Sequence, residues 1–254
     1  MSRLADALWR LAPFACVVAL WYGVKWSGIF SPGLLPAPHE VAIALFERLR
    51  YNNFLIDIWL SVQRVLLGLL FGMICAVPVG FLIGWNRRLR RFVDPLINFF
   101  RALPPIALIP LVIVYLGIGE IAKVAILFYA AFFAAVIVMY EGMSQISPIY
   151  IKVSRTLGAT DFEIFTKVIV PLTLPHVLTA ARVALGVAWA TLVASELVAA
   201  QNGIGAVIQN ASAFFNLPVI YAGIITIGFF ALLMDTLLRA ASRRLLSWQD
   251  SVEH

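Results

Sequence analysis

Long stretches without a charged residue, separated by short groups of arginine and lysine, constrain this chain more than any other feature. Of its 254 residues, 62% are hydrophobic and only 13% are charged, and the mean hydropathy is +0.95. A soluble domain carries about 25% charged residues. So few polar groups cannot cover a water-exposed surface, so much of this surface faces lipid. The sequence predicts a single all-α membrane domain over residues 1–254.

Six stretches are long and apolar enough to cross a bilayer. A hydrocarbon core about 30 Å thick needs roughly 20 apolar helical residues. The last apolar run is too long for one helix, and Gly203, Gly205 and Pro218 are among the residues that break it. The predicted spans are 11–30, 65–86, 102–119, 122–140, 177–198 and 219–238. The first span resembles a signal peptide, but bulky Trp21 and Tyr22 argue against cleavage.

Lysines and arginines are distributed unevenly between the two sides of these spans, which sets the orientation. With the N-terminus inside, twelve fall on the inner side and three on the outer side. The inner set is Arg3, Arg10, Arg87, Arg88, Arg90, Arg91, Lys152, Arg155, Lys167, Arg239, Arg243 and Arg244. The outer set is Arg48, Arg50 and Lys123. Both termini are therefore predicted to be cytoplasmic, and the net charge of +6 reflects topology rather than nucleic-acid binding.

The segment between the first two spans predicts an amphipathic helix. Val41, Leu45 and Leu49 recur at helical spacing, with charged residues on the other faces. The helix lies either at the outer membrane interface or packed on the top of the bundle.

The connection between spans four and five, residues 141–176, is far longer than a plain helix–helix loop. Gly158 is predicted to end one short helix, and Thr160 with Glu163 matches a capping box that starts another. The second helix is expected to end before Pro171. Phe162, Phe165 and Ile169 recur at helical spacing and form one apolar stripe on this second helix. An exposed aromatic stripe indicates a docking element for another protein; the alternative is a helix lying on the membrane surface.

Two further features lie inside the spans. Pro104, Pro105 and Pro110 remove amide donors from span three, which indicates either an irregular segment beside a transport pathway or a kink satisfied by packing. Glu196 lies within span five, where a carboxylate is costly. We expect Glu196 to meet a substrate ammonium, to pair with an arginine, or to lie at the membrane interface. Arg101 could attract an anion, but it is placed near the inner interface, where snorkelling is the simpler interpretation.

Several motifs resemble those of binding-protein-dependent ABC importer permeases, especially the taurine, alkanesulfonate and nitrate group. They are Leu35-Pro36-Ala37-Pro38, residues 101–107 (RALPPIA), Gly117-Ile118-Gly119-Glu120, residues 154–159 (SRTLGA), residues 189–197 (WATLVASEL), Gly203-Ile204-Gly205 and the tail 243–248 (RRLLSW). In the long loop, Gly158 is similar to the family's glycine, and Val168-Ile169-Val170-Pro171 to its closing Ile-x-Leu-Pro. Lys152-Val153-Ser154 stands where the family pattern has Glu-Ala-Ala, which is a departure.

This resemblance implies a type I ABC importer permease of six transmembrane helices, with a cytoplasmic coupling helix, in the bacterial inner membrane. It implies a homodimer in membrane lipid, two cytoplasmic ATPase subunits and a periplasmic substrate-binding protein. The sequence has no Gly-x-x-x-x-Gly-Lys-Ser/Thr phosphate loop. The chain is therefore expected to be a transport subunit and not an enzyme, with no cofactor or metal of its own, while ATP and magnesium bind to partner subunits.

The resemblance and the loop pattern together assign the site residues. The ATPase-coupling residues are Arg155, Gly158, Ala159, Thr160, Asp161, Phe162, Glu163 and Phe165. The translocation-pathway residues are Pro104, Pro105, Trp189 and Glu196. The expected substrate is a small sulfonate such as taurine, with nitrate or another small organic anion as the alternative. An ion-coupled secondary transporter is a further alternative, which would show internal repeats and no docking element.

Overall fold

The computed structural model describes residues 3–29, 33–199 and 201–246, and this part of the chain is helical without any strand. Eleven α-helices follow one another, with one π-helical turn, Phe165–Ile169, between α8 and α9. The helices are α1 Arg3–Trp26, α2 Pro38–Tyr51, α3 Phe54–Trp85, α4 Arg87–Ala102, α5 Pro105–Leu116, α6 Glu120–Ser144, α7 Pro148–Thr156, α8 Asp161–Ile164, α9 Val170–Ala199, α10 Ile204–Ala213 and α11 Leu217–Leu245.

Helices α3, α6 and α9 form the centre of the bundle, with α3 and α6 parallel and α9 antiparallel to both. We call the end where α3 and α6 begin and α9 finishes the Glu196 end, and the opposite end the Phe162 end. Two apolar clusters fill the centre, one around Val136 and Met139 of α6 and one around Leu192 of α9. Large apolar side chains elsewhere on α3 and α11 are exposed, as expected for a surface in lipid.

A row of small residues lets α3 approach α6 closely. Gly68, Gly72 and Gly80 recur at multiples of four, so they share one face of α3. A Cβ atom added at these positions would lie 2.4 Å from Leu127 Cβ, 2.8 Å from Ala131 Cβ and 2.5 Å from Met139 Cβ, respectively. Such approach is typical of membrane helices, where association depends on van der Waals packing rather than on escape from water.

The predicted spans are reproduced only in part. Four helical stretches are long and apolar enough to cross a membrane, and α4 with α5 gives a fifth if the bent pair counts as one span. The apolar part of α1 among the described residues is Ala15–Trp26, which is shorter than a full crossing. The spans predicted at 65–86, 122–140, 177–198 and 219–238 overlap these four stretches, and the predicted count of six is not confirmed.

The third predicted span, 102–119, is not one straight helix. Helix α4 begins at Arg87, and the chain then turns by 90° between α4 and α5. The reason is local: Pro104 and Pro105 cannot donate to a continuing helix, and Leu103 and Pro104 adopt extended backbone conformations. The sequence left open an irregular segment or a kink at these prolines, and the structure shows an irregular break between two helices.

Helix α2 packs on the bundle at the Glu196 end. Val41 is buried, and Leu45 and Leu49 pack with Phe54 and Ile58 of α3. The predicted amphipathic helix is confirmed, and its apolar face covers the protein.

Candidate functional site

The loop predicted to dock another protein folds into two short helices at the Phe162 end. Ser147 caps α7 by accepting a hydrogen bond from the Ile149 amide at 3.4 Å. Gly158 follows α7 with φ +81, a left-handed conformation that glycine adopts at little cost. Arg155 and Asp161 then face each other across this turn at 3.1 Å, both largely exposed. The turn sets α8 at a defined angle to α7.

The predicted capping box at the start of α8 is confirmed. The Glu163 amide donates to Thr160 Oγ1 at 3.3 Å, and the Thr160 amide donates to Glu163 Oε2 at 3.1 Å. This amide, followed by Lys167 at 3.0 Å and the Thr160 hydroxyl, lowers the pKa of Glu163 to about 2. A lowered carboxyl pKa stabilises the fold above its ordinary value near 4.5 and loses that effect toward pH 2. The box therefore stays intact throughout the physiological pH range.

The predicted apolar stripe does not face one way. Phe162 is 77% exposed, whereas Ile169 is 2% exposed and Phe165 packs edge-on against Phe81 and Trp85 at 5.5 Å and 5.9 Å between ring centroids. The π-helical turn begins at Phe165, so it shifts only the residues after Phe165, Ile169 among them, from their α-helical positions. Phe162 is left as the exposed aromatic, and Phe165 anchors the segment to α3.

The docking helix does not end before Pro171. Val170 donates its amide to the Phe165 carbonyl, the i to i−5 bond of a π-helix, and the chain enters α9 without a break. The wider turn accommodates Pro171, which has no amide hydrogen of its own. Asp161–Val198 is consequently one continuous helical stretch of 38 residues. It joins α8 directly to the Glu196 end.

A buried network of charges occupies the Glu196 end. Arg64 of α3 donates from Nη1 to Glu196 Oε1 at 2.6 Å and from Nη2 to Glu120 Oε1 at 2.7 Å. Ser61 donates to the same Glu196 carboxylate at 2.8 Å. The side chains of Arg64 and Glu196 are 3% and 0% exposed, while Glu120 is 57% exposed. Of the alternatives for Glu196, the structure shows pairing with an arginine.

This network also holds the connection between α9 and α10. The amides of Gly203, Ile204 and Gly205 donate to Asp57, Ser61 and Glu196 at 2.8, 2.9 and 2.8 Å, respectively. Gly203 has φ +123, and a Cβ atom there would lie 2.6 Å from both Arg64 Nη1 and Glu196 Oε1. Glycine is therefore required at this position both by conformation and by space. The sequence offered an arginine partner for Glu196 as one alternative but did not identify Arg64 or the backbone amides, although single charges at Arg64 and Glu196 in two apolar runs were a usable signal.

The four predicted pathway residues are not brought together. Pro105 lines a cavity at the α4–α5 break, next to Pro104, and Glu196 lies in the network. Trp189 is 3% exposed and packs with Leu192 in the core. Arg101 borders the cavity at the break rather than the end of a span, because α4 starts much earlier than predicted. The pathway assignment stays a prediction for all four residues.

Replacing Thr160 with alanine is expected to loosen α8. Loss of an N-cap costs about 1 kcal/mol, which is roughly fivefold in the local opening equilibrium. Hydrogen exchange of the α8 amides, followed by mass spectrometry, should accelerate by about that factor. Thr156→Ala is the matched control, because the Thr156 hydroxyl donates within α7 to the Lys152 carbonyl and caps nothing. Equal protection in both variants would contradict the capping role.

These features define a class of protein: a polytopic membrane protein with a two-helix element at one end and a charge-clamped connection at the other. Within the described ranges, no group of three or more His, Cys, Asp or Glu side chains could hold a metal ion.

The chain belongs to the family described as "Binding-protein-dependent transport system inner membrane component", which matches residues 68–247. A Brucella abortus protein described as a "Probable ABC transporter permease protein" is 42% identical over 98% of each chain. The taurine transport system permease protein TauC of Escherichia coli is 33% identical over 96% of this chain and 90% of its own. This chain is thus an inner-membrane ABC transporter permease subunit, and ATP hydrolysis belongs to partner subunits.

A solved structure supports the fold. A chain of the MetNI methionine ABC transporter, crystallised in inward-facing conformations, matches with a TM-score of 0.64 at 24% identity, covering 76% of this chain and 94% of that chain. The fold is that of a type I ABC importer permease, as the sequence analysis predicted.

Proposed function

We propose that this chain forms the translocation pathway of an ATP-driven importer for a small sulfonate such as taurine. It works as a homodimer with two cytoplasmic ATPase subunits, which bind ATP and magnesium, and a periplasmic substrate-binding protein. The observation that carries the proposal is the exposed Phe162 at the tip of a helix that continues to the Glu196 end. A loop that only lay on the membrane surface would not need a continuous helix that joins it to the opposite end of the bundle.

The Phe162 end is proposed to face the cytoplasm, and each copy of α8 to sit in a groove of one ATPase. Leu157 is 81% exposed beside Phe162, so the segment presents an apolar tip on a polar rim that includes Arg155 and Asp161. Apolar anchors surrounded by polar groups are typical of protein interfaces. The surplus of basic residues at this end agrees with a cytoplasmic position.

Coupling to ATP follows from differential contact. The nucleotide-bound ATPases must bind one state of the permease more tightly than the other, because a partner with equal affinity for both states shifts nothing. Phe165, packed on Phe81 and Trp85, transmits a displacement of α8 to α3, while the continuous helix transmits it to α9. The two central helices therefore move with the docking tip.

The substrate class rests on the relatives. TauC is named as a taurine transport permease, and this chain resembles it over nearly its whole length. Nitrate or another small organic anion is the alternative within the same class.

The proposal is tested by uptake into proteoliposomes that contain this permease, its ATPase and its binding protein. ATP-dependent accumulation of labelled taurine is expected, and it should not respond to ionophores that collapse proton or sodium gradients. Accumulation of nitrate but not of taurine would change the substrate and keep the transporter class. Uptake driven by an ion gradient without ATP would overturn the proposal in favour of a secondary transporter.

A further inference from the structure

A cavity of about 300 Å³ lies beside the break between α4 and α5. Its walls come from the break itself, from α6 and from α9. The lining residues include Arg101, Pro105, Tyr129 and Glu141. The lining is mostly apolar and aromatic, with two charged residues of opposite sign, Arg101 and Glu141. A largely apolar concave site with few charged groups is the usual form of a small-molecule site.

The break places the backbone of Arg101 near the middle of the length of α6, with its side chain exposed. The Phe100 carbonyl accepts a hydrogen bond from the Tyr129 hydroxyl, and Tyr129 is nine positions after the start of α6, about 14 Å along the helix axis. Further down, Arg90 stacks on Tyr140 at 4.9 Å, so α4 rises from the Phe162 end toward the middle of α6. The backbone of Arg101 therefore lies at a depth where an uncompensated charge is costly. An ionisable side chain at such a depth is by default a candidate for function.

Arg101 is exposed to the cavity and forms no ion pair with any acid in the part of the chain that the structure describes. Other buried or membrane-depth cations differ: Arg64 pairs with Glu196, and Arg182 pairs with Asp235 at 3.0 Å. Arg101 therefore keeps its donors free for a ligand. Five N–H donors in a planar fork suit an oxyanion such as a sulfonate or carboxylate.

The start of α5 adds to this preference. Pro105, the first residue of α5, lines the same cavity as Arg101. The N-terminus of a helix carries partial positive charge, and broken helices in transporters point such ends at anionic groups. The break therefore brings a full and a partial positive charge to one side of the cavity.

Glu141 supplies the opposite charge on another part of the wall. It lies twelve positions after Tyr129 on α6, toward the Phe162 end, and its side chain makes no ion pair among the described residues. Because Arg101 and Glu141 share the cavity without pairing to each other, each is left to meet an opposite charge on a ligand. A ligand with both charges would satisfy both residues.

We infer that this cavity is a transport subsite for a small zwitterion, in which Arg101 binds the anionic group and Glu141 the ammonium group. The inference rests on the proposed function and refines it: an aminosulfonate is preferred over a sulfonate without an amine. Arg101, rather than Glu196, then carries the charge recognition within the membrane.

The test measures equilibrium binding of labelled taurine and labelled ethanesulfonate to the purified permease–ATPase complex without its binding protein. Arg101→Gln is expected to weaken binding of both compounds at least tenfold, and Arg101→Lys to recover part of it. Glu141→Gln is expected to weaken taurine binding about tenfold and leave ethanesulfonate within twofold. Arg243→Gln, an exposed arginine in the last turn of α11, is the control and should change neither.

Transport by the same variants separates this inference from the proposed function. With the binding protein present, Arg101→Gln should reduce taurine uptake per ATP hydrolysed at least tenfold while stimulated ATP hydrolysis stays within twofold. If the wild-type importer accumulates taurine but the Arg101 and Glu141 variants match it, or if the wild-type complex binds neither compound, the subsite is overturned and the importer stands. If the wild type accumulates no sulfonate, the proposed function itself fails.

Discussion

Replacing Arg64 with methionine is expected to destabilise the protein by about 3–5 kcal/mol, the usual cost of leaving one member of a buried ion pair without its partner. Glu196 would keep only Ser61 and the Gly205 amide as donors, with its side chain 0% exposed. In a chain of this size, that loss corresponds to a fall in Tm of roughly 10 °C. Thermal unfolding of the detergent-solubilised protein, followed by tryptophan fluorescence, measures it.

The reverse change should cost less. Glu196→Gln keeps hydrogen-bonding atoms of the same shape, and Arg64 still has Glu120 at 2.7 Å. We expect about 1–3 kcal/mol for it. The double variant Arg64→Met with Glu196→Gln should be more stable than Arg64→Met alone, since no charge is then left unpaired. Additive losses in the double variant would show that the two residues do not interact and would contradict the network.

Replacing Phe162 with aspartate is expected to abolish coupling while leaving the permease folded. Phe162 is 77% exposed, and exposed substitutions usually change stability by less than about 0.5 kcal/mol. A charge in the centre of an apolar contact excludes the partner, so ATPase subunits should no longer copurify, and taurine uptake should fall to background. Copurification and uptake are measured on the same preparations.

The matched control for this variant is Phe214→Asp. Phe214 is 84% exposed at the end of α10, on the opposite side of the bundle, so the same chemical change should leave ATPase copurification unchanged. Normal recovery of the ATPase with Phe162→Asp would remove the docking role. Loss of the ATPase with both variants would show a general effect of added charge.

The features that sequence predicted well are local. The capping box of Thr160 and Glu163 depends on residues three apart, and the C-cap at Gly158 depends on one residue's conformational freedom, so a short pattern suffices for both. The four long apolar stretches follow from apolar length alone. None of these requires knowledge of what packs against what.

The features that sequence missed depend on distant contacts or on a small change in helix geometry. Arg64 and Glu196 are 132 positions apart, so neither predicts the other. The π-helical turn at Phe165–Ile169 shifts Ile169 and the residues after it from their α-helical positions, and nothing in the local periodicity signals the change. Likewise, the prolines of the third span predicted an irregular segment, but the 90° bend and the depth of Arg101 depend on how α4 packs against α6.

The unbroken stretch Asp161–Val198 also makes the bundle a lever. Its 38 residues correspond to a rod roughly 57 Å long at 1.5 Å per residue. A tilt of about 10° imposed at one tip would carry the other tip roughly 10 Å, on the scale of the small molecules such a protein admits. The glycine-rich connection clamped at the far tip would then swing with it, so a displacement of the Phe162 end would change the shape of the Glu196 end.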